Sequence, residues 1–245
     1  MREDEYATLA KHERTYWWHV GRLQIINSYL NTYTSGDNQQ SIINVGCGTG
    51  GTAVLLQRYG SVQNIETSDT AIAYMEHSGT GQVIKVTGSQ LPFKSHTFSV
   101  VCAFDVLEHI ANDSNAFKEW RRVLNNDGVI IVSVPAYQWL WSKHDVTLGH
   151  YRRYTKKSLT RVASLAGLEV QHISYAFTFT LPLVVGFRLL QRFLGISRGK
   201  KTSYVAVPAW LNQLLAAILH KEAWLHGKIA LPAGSSIIAV LRKSS

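Results

Sequence analysis

Short apolar runs alternate with longer mixed segments across residues 42–134 of this chain. The apolar runs are rich in Val, Ile and Phe and predict strands, whereas the segments between them carry the apolar spacing of helices. The predicted strands are 42–45, 62–66, 82–86, 98–104 and 129–134, and the predicted helices are 51–59, 70–77 and 113–124. Regular alternation of this kind is typical of a parallel sheet covered by helices.

Further elements flank this alternating region. Residues 5–30 predict a single N-terminal helix with an aromatic group, 16–18, at its middle, and a polar linker follows at 34–40. Beyond Pro135 lies an aromatic and basic loop, 136–154. The remaining predicted elements are a helix from Thr155 to about Gly167 and strands at 168–174 and 235–241.

The connection between the last two predicted strands is long and reads as helical. It contains two apolar helices, 183–194 and 210–219. The first has an apolar stripe beside Arg188 and Arg192, formed by Leu183, Phe187, Leu190 and Leu194. A membrane-spanning helix needs about 20 predominantly apolar residues, and this connection lacks such a run, so we predict no span.

A glycine-rich turn joins the first predicted strand to the helix that follows. Gly46, Gly48 and Gly51 satisfy G-x-G-x-x-G, and the second apolar run ends in Glu66. Strand, glycine turn, helix, strand and acid form the layout of sites for adenosine-containing cofactors, in which the acid binds ribose hydroxyls. The glycines alone leave open whether the cofactor is a dinucleotide or S-adenosylmethionine (SAM).

Motifs further along the chain separate these alternatives. Residues 88–93 lead into the fourth strand, the motif Asp-Val-Leu-Glu-His follows it at 105–109, and residues 122–128 precede the strand closed by Pro135. With the glycine turn, these motifs closely resemble the class I SAM-dependent methyltransferases, in particular the type 11 group, over residues 41–135. The resemblance implies an α/β Rossmann-like sheet of seven strands in the order 3-2-1-4-5-7-6. It also implies an antiparallel last strand and helices on both faces.

The resemblance also suggests how the chain is organised. Residues 1–40 would form a helical lid and 41–174 the SAM-binding core. Residues 175–234 would be a helical insertion that covers the acceptor or meets a membrane, and 235–245 the final core strand.

SAM is the expected cofactor, with S-adenosylhomocysteine as the product. The residues expected to bind it are Tyr16, Asn44, Gly46, Cys47, Gly48, Gly50, Glu66, Thr67, Ser89, Gln90, Leu91, Phe104 and Asp105. Two of these depart from the family pattern. Asn44 stands where an acid usually helps to bind the methionine ammonium, and Ser89 stands where an Asp usually takes the adenine amino group.

Candidate catalytic residues cluster after the fifth strand. His144 beside Asp145 suggests a general-base pair in which the carboxylate fixes the tautomer, and a structured loop is the alternative. His150 and His109 are further candidates. The residues expected to bind the acceptor are Trp18, Trp141, Tyr151, Arg152 and Arg153. The two arginines suit a phosphate or carboxylate, and no metal ligands are predicted.

Charge and composition bound the function. Residues 1–135 hold 10 basic and 13 acidic residues, a net −3, whereas residues 136–245 hold 15 and 3, a net +12. Such asymmetry indicates an acidic partner: an anionic substrate, an anionic membrane surface or nucleic acid. Cys47 and Cys102 do not suggest a disulfide, and the charged N-terminus does not suggest a signal peptide, so we expect a cytoplasmic protein with peripheral membrane contact.

The expected function is methylation of a small-molecule or lipid-like acceptor, on oxygen. Residues 104–107 lack the Asp/Asn-Pro-Pro-aromatic motif of enzymes that methylate base nitrogens, which disfavours nucleic acid as the acceptor. Two alternatives stay open: a nucleic-acid methyltransferase that uses the basic half, and a SAM-binding protein without catalysis. The sequence gives no oligomeric state.

Overall fold

The core of the protein is a mixed β-sheet, seen in a computed structural model that describes residues 3–34, 39–86, 90–193 and 207–244. In these residues the sheet has seven strands in the order β3-β2-β1-β4-β5-β7-β6. Their bounds are β1 Gln40–Val45, β2 Gly60–Glu66, β3 Val83–Lys85, β4 Phe98–Phe104, β5 Leu124–Pro135, β6 Leu168–Ala176 and β7 Ser236–Lys243. The predicted strand order is confirmed.

The first five strands run parallel, and β7 lies antiparallel between β5 and β6. Parallel neighbours need a crossover, and a helix provides it after β1, β2 and β4. As a result, the carboxyl ends of β1, β2 and β4 all meet at one edge of the sheet. The strand order reverses at β1 and β4, which is where open α/β sheets bind ligands.

Helices cover both faces of this sheet. Their bounds are α1 Glu3–His12, α2 Trp17–Tyr33, α3 Gly51–Leu56, α4 Asp69–Ser78, α5 Asp113–Val123, α6 Lys143–Leu148, α7 Lys156–Leu165, α8 Leu181–Phe193 and α9 Ala209–Leu225. The starts of α4, α5 and α7 are capped by Ser68, Asn112 and Thr155, whose side-chain oxygens accept backbone N–H groups of the first turn. Such caps satisfy donors that the helix itself leaves unpaired.

The predicted single helix over residues 5–30 is wrong: the chain forms α1 and α2, with a break between them. The side chain of Asn212, in α9, accepts the Trp17 N–H (2.9 Å) and donates to the Thr15 carbonyl (2.9 Å). These bonds satisfy backbone groups that a continuous helix would pair internally. The break therefore depends on a residue almost 200 positions away in sequence, which no local pattern shows.

Two apolar layers hold the sheet between its helices. One face packs against α5 and α7 through Phe117, Trp120 and Leu159. The other face packs against α2, whose buried Ile26 and Leu30 contact the sheet. Helix α2 is thus a core helix, and α1 is the part of the N-terminal segment that lies near the glycine turn.

The connection between β6 and β7 carries α8 and α9, at the place predicted for a helical insertion. Buried Glu222 fixes α9 to the start of this connection, because its carboxylate accepts the N–H groups of Thr178 and Phe179 (both 3.0 Å). By contrast, none of residues 181–190 is buried. Leu194, predicted to complete the apolar stripe, lies outside the described residues. Among the described helices, none has the length and hydropathy that a membrane span requires.

Candidate active site

The turn after β1 holds three glycines in left-handed backbone conformations, with φ of 65° at Gly46, 58° at Gly48 and 98° at Gly50. Residues with a Cβ rarely adopt these angles. The N–H groups of Gly46 and Cys47 donate to the Ile65 carbonyl (2.9 and 3.1 Å), which ties the turn to β2. The nearest heavy atom to a Cβ built on Gly48 would be Leu9 Cδ2, 3.8 Å away, so this glycine faces space that a ligand can use.

Glu66 ends β2 beside the glycine turn, as its predicted role requires. Its Oε2 accepts the Gly48 N–H (2.9 Å), and its Oε1 accepts the N–H groups of Thr67 (2.7 Å) and Ser68 (3.2 Å). Backbone donors therefore fix the orientation of the carboxylate before any ligand arrives. A carboxylate offers about four lone-pair positions, so Oε2 can still accept a ribose hydroxyl.

Two residues predicted to bind the cofactor have side chains that are buried beneath the turn. Asn44 is buried and donates to Asn64 Oδ1 (2.9 Å), which joins β1 to β2. Cys47 is buried against Met75, and burial raises the pKa of its thiol to about 12. A thiol held protonated is a poor nucleophile, so Cys47 serves as a small side chain in a tight turn.

Two neighbouring residues that were predicted to bind the cofactor, Gln90 and Leu91, differ in their exposure. Gln90 is exposed, whereas Leu91 is buried in the core and its N–H donates to Glu119 Oε1 (2.7 Å). Of these two, Gln90 is therefore the residue whose side chain could reach a ligand. Ser89 lies outside the described residues.

Helix α1 covers the glycine turn. In the residue just after this helix, Glu13 Oε2 accepts the Thr49 hydroxyl (2.6 Å) and the Gly51 N–H (3.1 Å). Tyr6 lies beside Ser68 and Glu66, and burial raises the pKa of its phenol. Glu13 was not predicted to lie at this site, because no local signal relates an acid in a helical segment to a turn more than 30 residues away.

The carboxyl end of β4 places Asp105 next to this turn. Asp105 has a φ of 57°, accepts the Ser133 hydroxyl (3.2 Å) and pairs with Arg22 of α2 at 2.5 Å. Non-glycine residues in this conformation concentrate at functional sites. Arg22 lies over the Trp18 ring, 5.5 Å from its centroid, and Trp18 stacks on Phe177.

Two further residues were also predicted to bind the cofactor. Phe104 is buried, and Tyr16 packs against Trp17.

The predicted pair of His144 with Asp145 is wrong, because the Asp145 carboxylate serves other groups. Its Oδ1 lies 3.0 Å from His150 Nδ1, and Arg153 donates to both of its oxygens (2.7 and 3.1 Å). Burial opposes its ionisation, but these hydrogen bonds hold the pKa of Asp145 well below its usual range. The carboxylate thus orients His150, whereas burial lowers the pKa of His144 to about 4.

Neither predicted anion-binding arginine is free in this structure. Arg153 is paired with Asp145, and Arg152 forms an ion pair with Asp113 (2.7 Å) and donates to the Ala111 carbonyl (2.7 Å). The ion-pair partners of both arginines are carboxylates, which are the kind of group that an anionic ligand would present. Trp141 is half-buried and Tyr151 is exposed, so these two aromatic side chains are available at the surface of the cluster.

His109 and His150 do come together, with ring centroids 4.6 Å apart in an edge-to-face arrangement. Glu108, which was not among the predicted site residues, is buried beside them, and its Oε1 lies 3.9 Å from His150 Nε2. The sequence signal that could have identified Glu108 was its place in the 105–109 motif, next to His109.

Comparisons with known proteins agree with this geometry. Residues 43–132 match the family described as "Methyltransferase domain". A Mycolicibacterium smegmatis protein named as a SAM-dependent methyltransferase is 25% identical over 163 residues, which cover 65% of this chain and 62% of that protein. A curated methyltransferase of Mycolicibacterium gilvum is 27% identical over 94 residues, 36% of this chain and 37% of its own length. The chain thus spans less than two thirds of the length of these relatives.

A solved SAM-dependent methyltransferase from Thermotoga maritima superposes with a TM-score of 0.58 at 16% identity, covering 98% of each chain. At that identity the likeness shows the fold alone.

The fold and the glycine turn define a Rossmann-like domain for an adenosine-containing cofactor. With the family match over residues 43–132, the chain is similar to the class I SAM-dependent methyltransferases. The residues present fit this cofactor: Gly48 leaves space on the turn, and Glu66 stands beside it with an oriented carboxylate.

Proposed function

We propose that this protein transfers the methyl group of SAM to an oxygen atom of a small-molecule or lipid-like acceptor. The observation that carries the acceptor chemistry is the polar cluster just beyond β4, where Asp145 orients His150 next to His109. A hydroxyl acceptor must lose a proton, which requires a basic or charge-stabilising group close to the methyl donor. His109 lies in the segment just after β4, and the carboxyl end of β4 lies beside the glycine turn.

Each part of the site would have a separate task. The cofactor supplies a methyl group already activated by a sulfonium, so the chain mainly positions the reactants and excludes water. Gly46, Gly48 and Gly50 would approach its methionine and ribose portions, and Glu66 would accept its ribose hydroxyls, with Thr67 beside the adenine. Helix α1 would act as a lid, because Glu13 already holds it onto the turn.

The insertion would serve the acceptor side. On α8, Leu183 and Leu190 are 59% and 54% exposed, and Leu189 is exposed beside them. These exposures support a surface role for the stripe over the alternative that it packs onto the sheet. Exposed leucines in a half of the chain with a net charge of +12 suit an anionic lipid surface. We propose that α8 rests on such a surface, where lipid-like acceptors are found.

Transfer of labelled methyl groups tests the reaction. Purified protein is incubated with methyl-labelled SAM and, separately, with polar metabolites, extracted lipids and total RNA and DNA from bacterial cells. We expect label in the metabolite or lipid fraction, on oxygen as judged by mass spectrometry of the product. Label confined to nucleic acid would favour the first alternative. Tight SAM binding with no label in any fraction would favour a non-catalytic protein.

A further inference from the structure

Three potential ligand side chains converge just beyond β4. One donor atom each from Glu108, His109 and His150 lies within 4.8 Å of the other two. Glu108 is only 1% exposed, and its Oε2 has no hydrogen-bond partner among the residues that the structure describes. A buried carboxylate oxygen without a partner is costly, and a bound cation is one of the few groups that offset such a cost.

We propose that Glu108, His109 and His150 bind a divalent first-row transition-metal ion. Two imidazoles and one carboxylate suit zinc, manganese, iron or cobalt, whereas magnesium and calcium prefer oxygen ligands. These ligands were not predicted from the sequence, because His150 is more than 40 positions from the other two residues and the spacing matches no familiar metal motif.

The His150 imidazole is already oriented as metal ligands usually are. His150 Nδ1 is bonded to Asp145, which leaves Nε2 directed towards Glu108. Arg153 in turn holds Asp145 through two hydrogen bonds. The His109 ring lies beside the backbone of Gly149. A carboxylate or carbonyl behind a ligating histidine is the common arrangement, since it fixes the tautomer.

The spacing of the three donor atoms also suits a cation. An ion with bonds of about 2.1 Å in tetrahedral geometry sets its ligands roughly 3.4 Å apart, so modest side-chain rotations would complete the site.

The position of the cluster suggests what such an ion would do, and this step rests on the proposed function. Glu108 and His109 follow Asp105 at the carboxyl end of β4, beside the strand that leads into the glycine turn. A metal ion there could coordinate the acceptor oxygen and lower the pKa of its hydroxyl. His150 would then act as a ligand, and the hydroxyl proton would pass to solvent.

Metal binding is measured directly, without SAM, so that its outcome is independent of methyl transfer. Untagged protein is treated with a chelator and titrated with Co²⁺, followed by visible absorption, and with Zn²⁺ by calorimetry. We expect one ion per chain and a rise in melting temperature. Glu108→Gln, His109→Gln and His150→Gln should each lose at least 100-fold in affinity. Asp145→Asn should lose about 10–100-fold, because it only orients His150.

His144→Gln is the matched control, since it alters a histidine of the same segment outside the three ligands; it should keep wild-type affinity. Co²⁺-induced shifts of the His109 and His150 ring protons in wild-type protein provide a readout that needs no variant to fold. Absence of Co²⁺ and Zn²⁺ binding would overturn the proposal. So would binding that survives in Glu108→Gln or His150→Gln, or shifts confined to other histidines.

Discussion

Glu66 is the side chain on which we expect cofactor recognition to depend most. Its carboxylate is fixed by backbone N–H groups at the edge of the glycine turn. We predict that Glu66→Gln weakens SAM binding by about 1–3 kcal/mol, since the amide places a donor where ribose hydroxyls need an acceptor. Isothermal titration calorimetry measures the effect, with exposed Glu169→Gln as the control. Equal affinities of the two variants would remove Glu66 from the cofactor site.

His19 should make the protein less stable in acid. Burial, and then the charge of Arg22, lower the pKa of His19 to about 3, so the folded state holds it neutral. A histidine with a depressed folded pKa stabilises fully above its unfolded pKa of about 6.5, and this contribution falls as pH drops below that value. At about pH 5 the loss is about 2 kcal/mol for this group.

Urea unfolding at neutral pH and at about pH 5 measures this contribution. Wild-type protein should lose more stability between the two conditions than His19→Gln does. Exposed His77→Gln should keep the wild-type difference. If His19→Gln shows the same pH dependence as wild type, the buried imidazole is not the group that titrates.

At the scale of elements, the packing of α2 against α9 depends on a close approach of the two helices at Gly21. A Cβ on Gly21 would lie 2.2 Å from Leu219 Cδ1, far closer than packed carbons allow. We predict that Gly21→Ala destabilises the fold by about 1–3 kcal/mol despite the better helix propensity of alanine. Chemical denaturation measures the change.

Two further variants isolate the clash. In a Leu219→Gly background, Gly21→Ala should no longer destabilise, because the Leu219 Cβ that lies 2.6 Å from the added methyl is removed together with the rest of that side chain. Gly186→Ala in α8 meets no atom within 4 Å, so it should stabilise by up to about 1 kcal/mol. A penalty for Gly21→Ala that persists without Leu219 would contradict the packing argument.

The elements show which parts of the fold the sequence makes predictable. Strands 98–104 and 129–134 were predictable because a doubly covered parallel sheet needs continuous apolar runs. The glycine turn and Glu66 were predictable from local spacing.

The break between α1 and α2 was not predictable, since it depends on Asn212. The partner of Asp145 was not predictable either. His144 is adjacent in sequence, but the capped start of α6 turns Asp145 towards His150 and Arg153. Spacing thus identifies sites built on one turn, and not those assembled across loops.

At the scale of the whole molecule, the two halves differ in their surface charge. Two of the three acids after residue 135, Asp145 and Glu222, are buried, so Glu169 is the one acid left to balance the basic side chains on the surface of that half. The same half carries α8 with its exposed leucines. An apolar helix within a positive field is suited to bind anionic lipid head groups, with about 1 kcal/mol from each basic residue near the surface.

Liposome co-sedimentation tests this orientation. We predict that the protein binds vesicles containing anionic phospholipid, that binding falls as salt screens the charges, and that zwitterionic vesicles bind poorly. Leu183→Asp/Leu190→Asp should abolish binding, and Arg188→Glu should weaken it several-fold. Leu165→Asp alters an equally exposed leucine on α7 and should bind as wild type. If all variants bind alike, basic residues outside α8 are responsible for the attraction to the vesicles. If wild-type protein does not bind anionic vesicles at low salt, α8 faces the acceptor or another partner instead of a membrane.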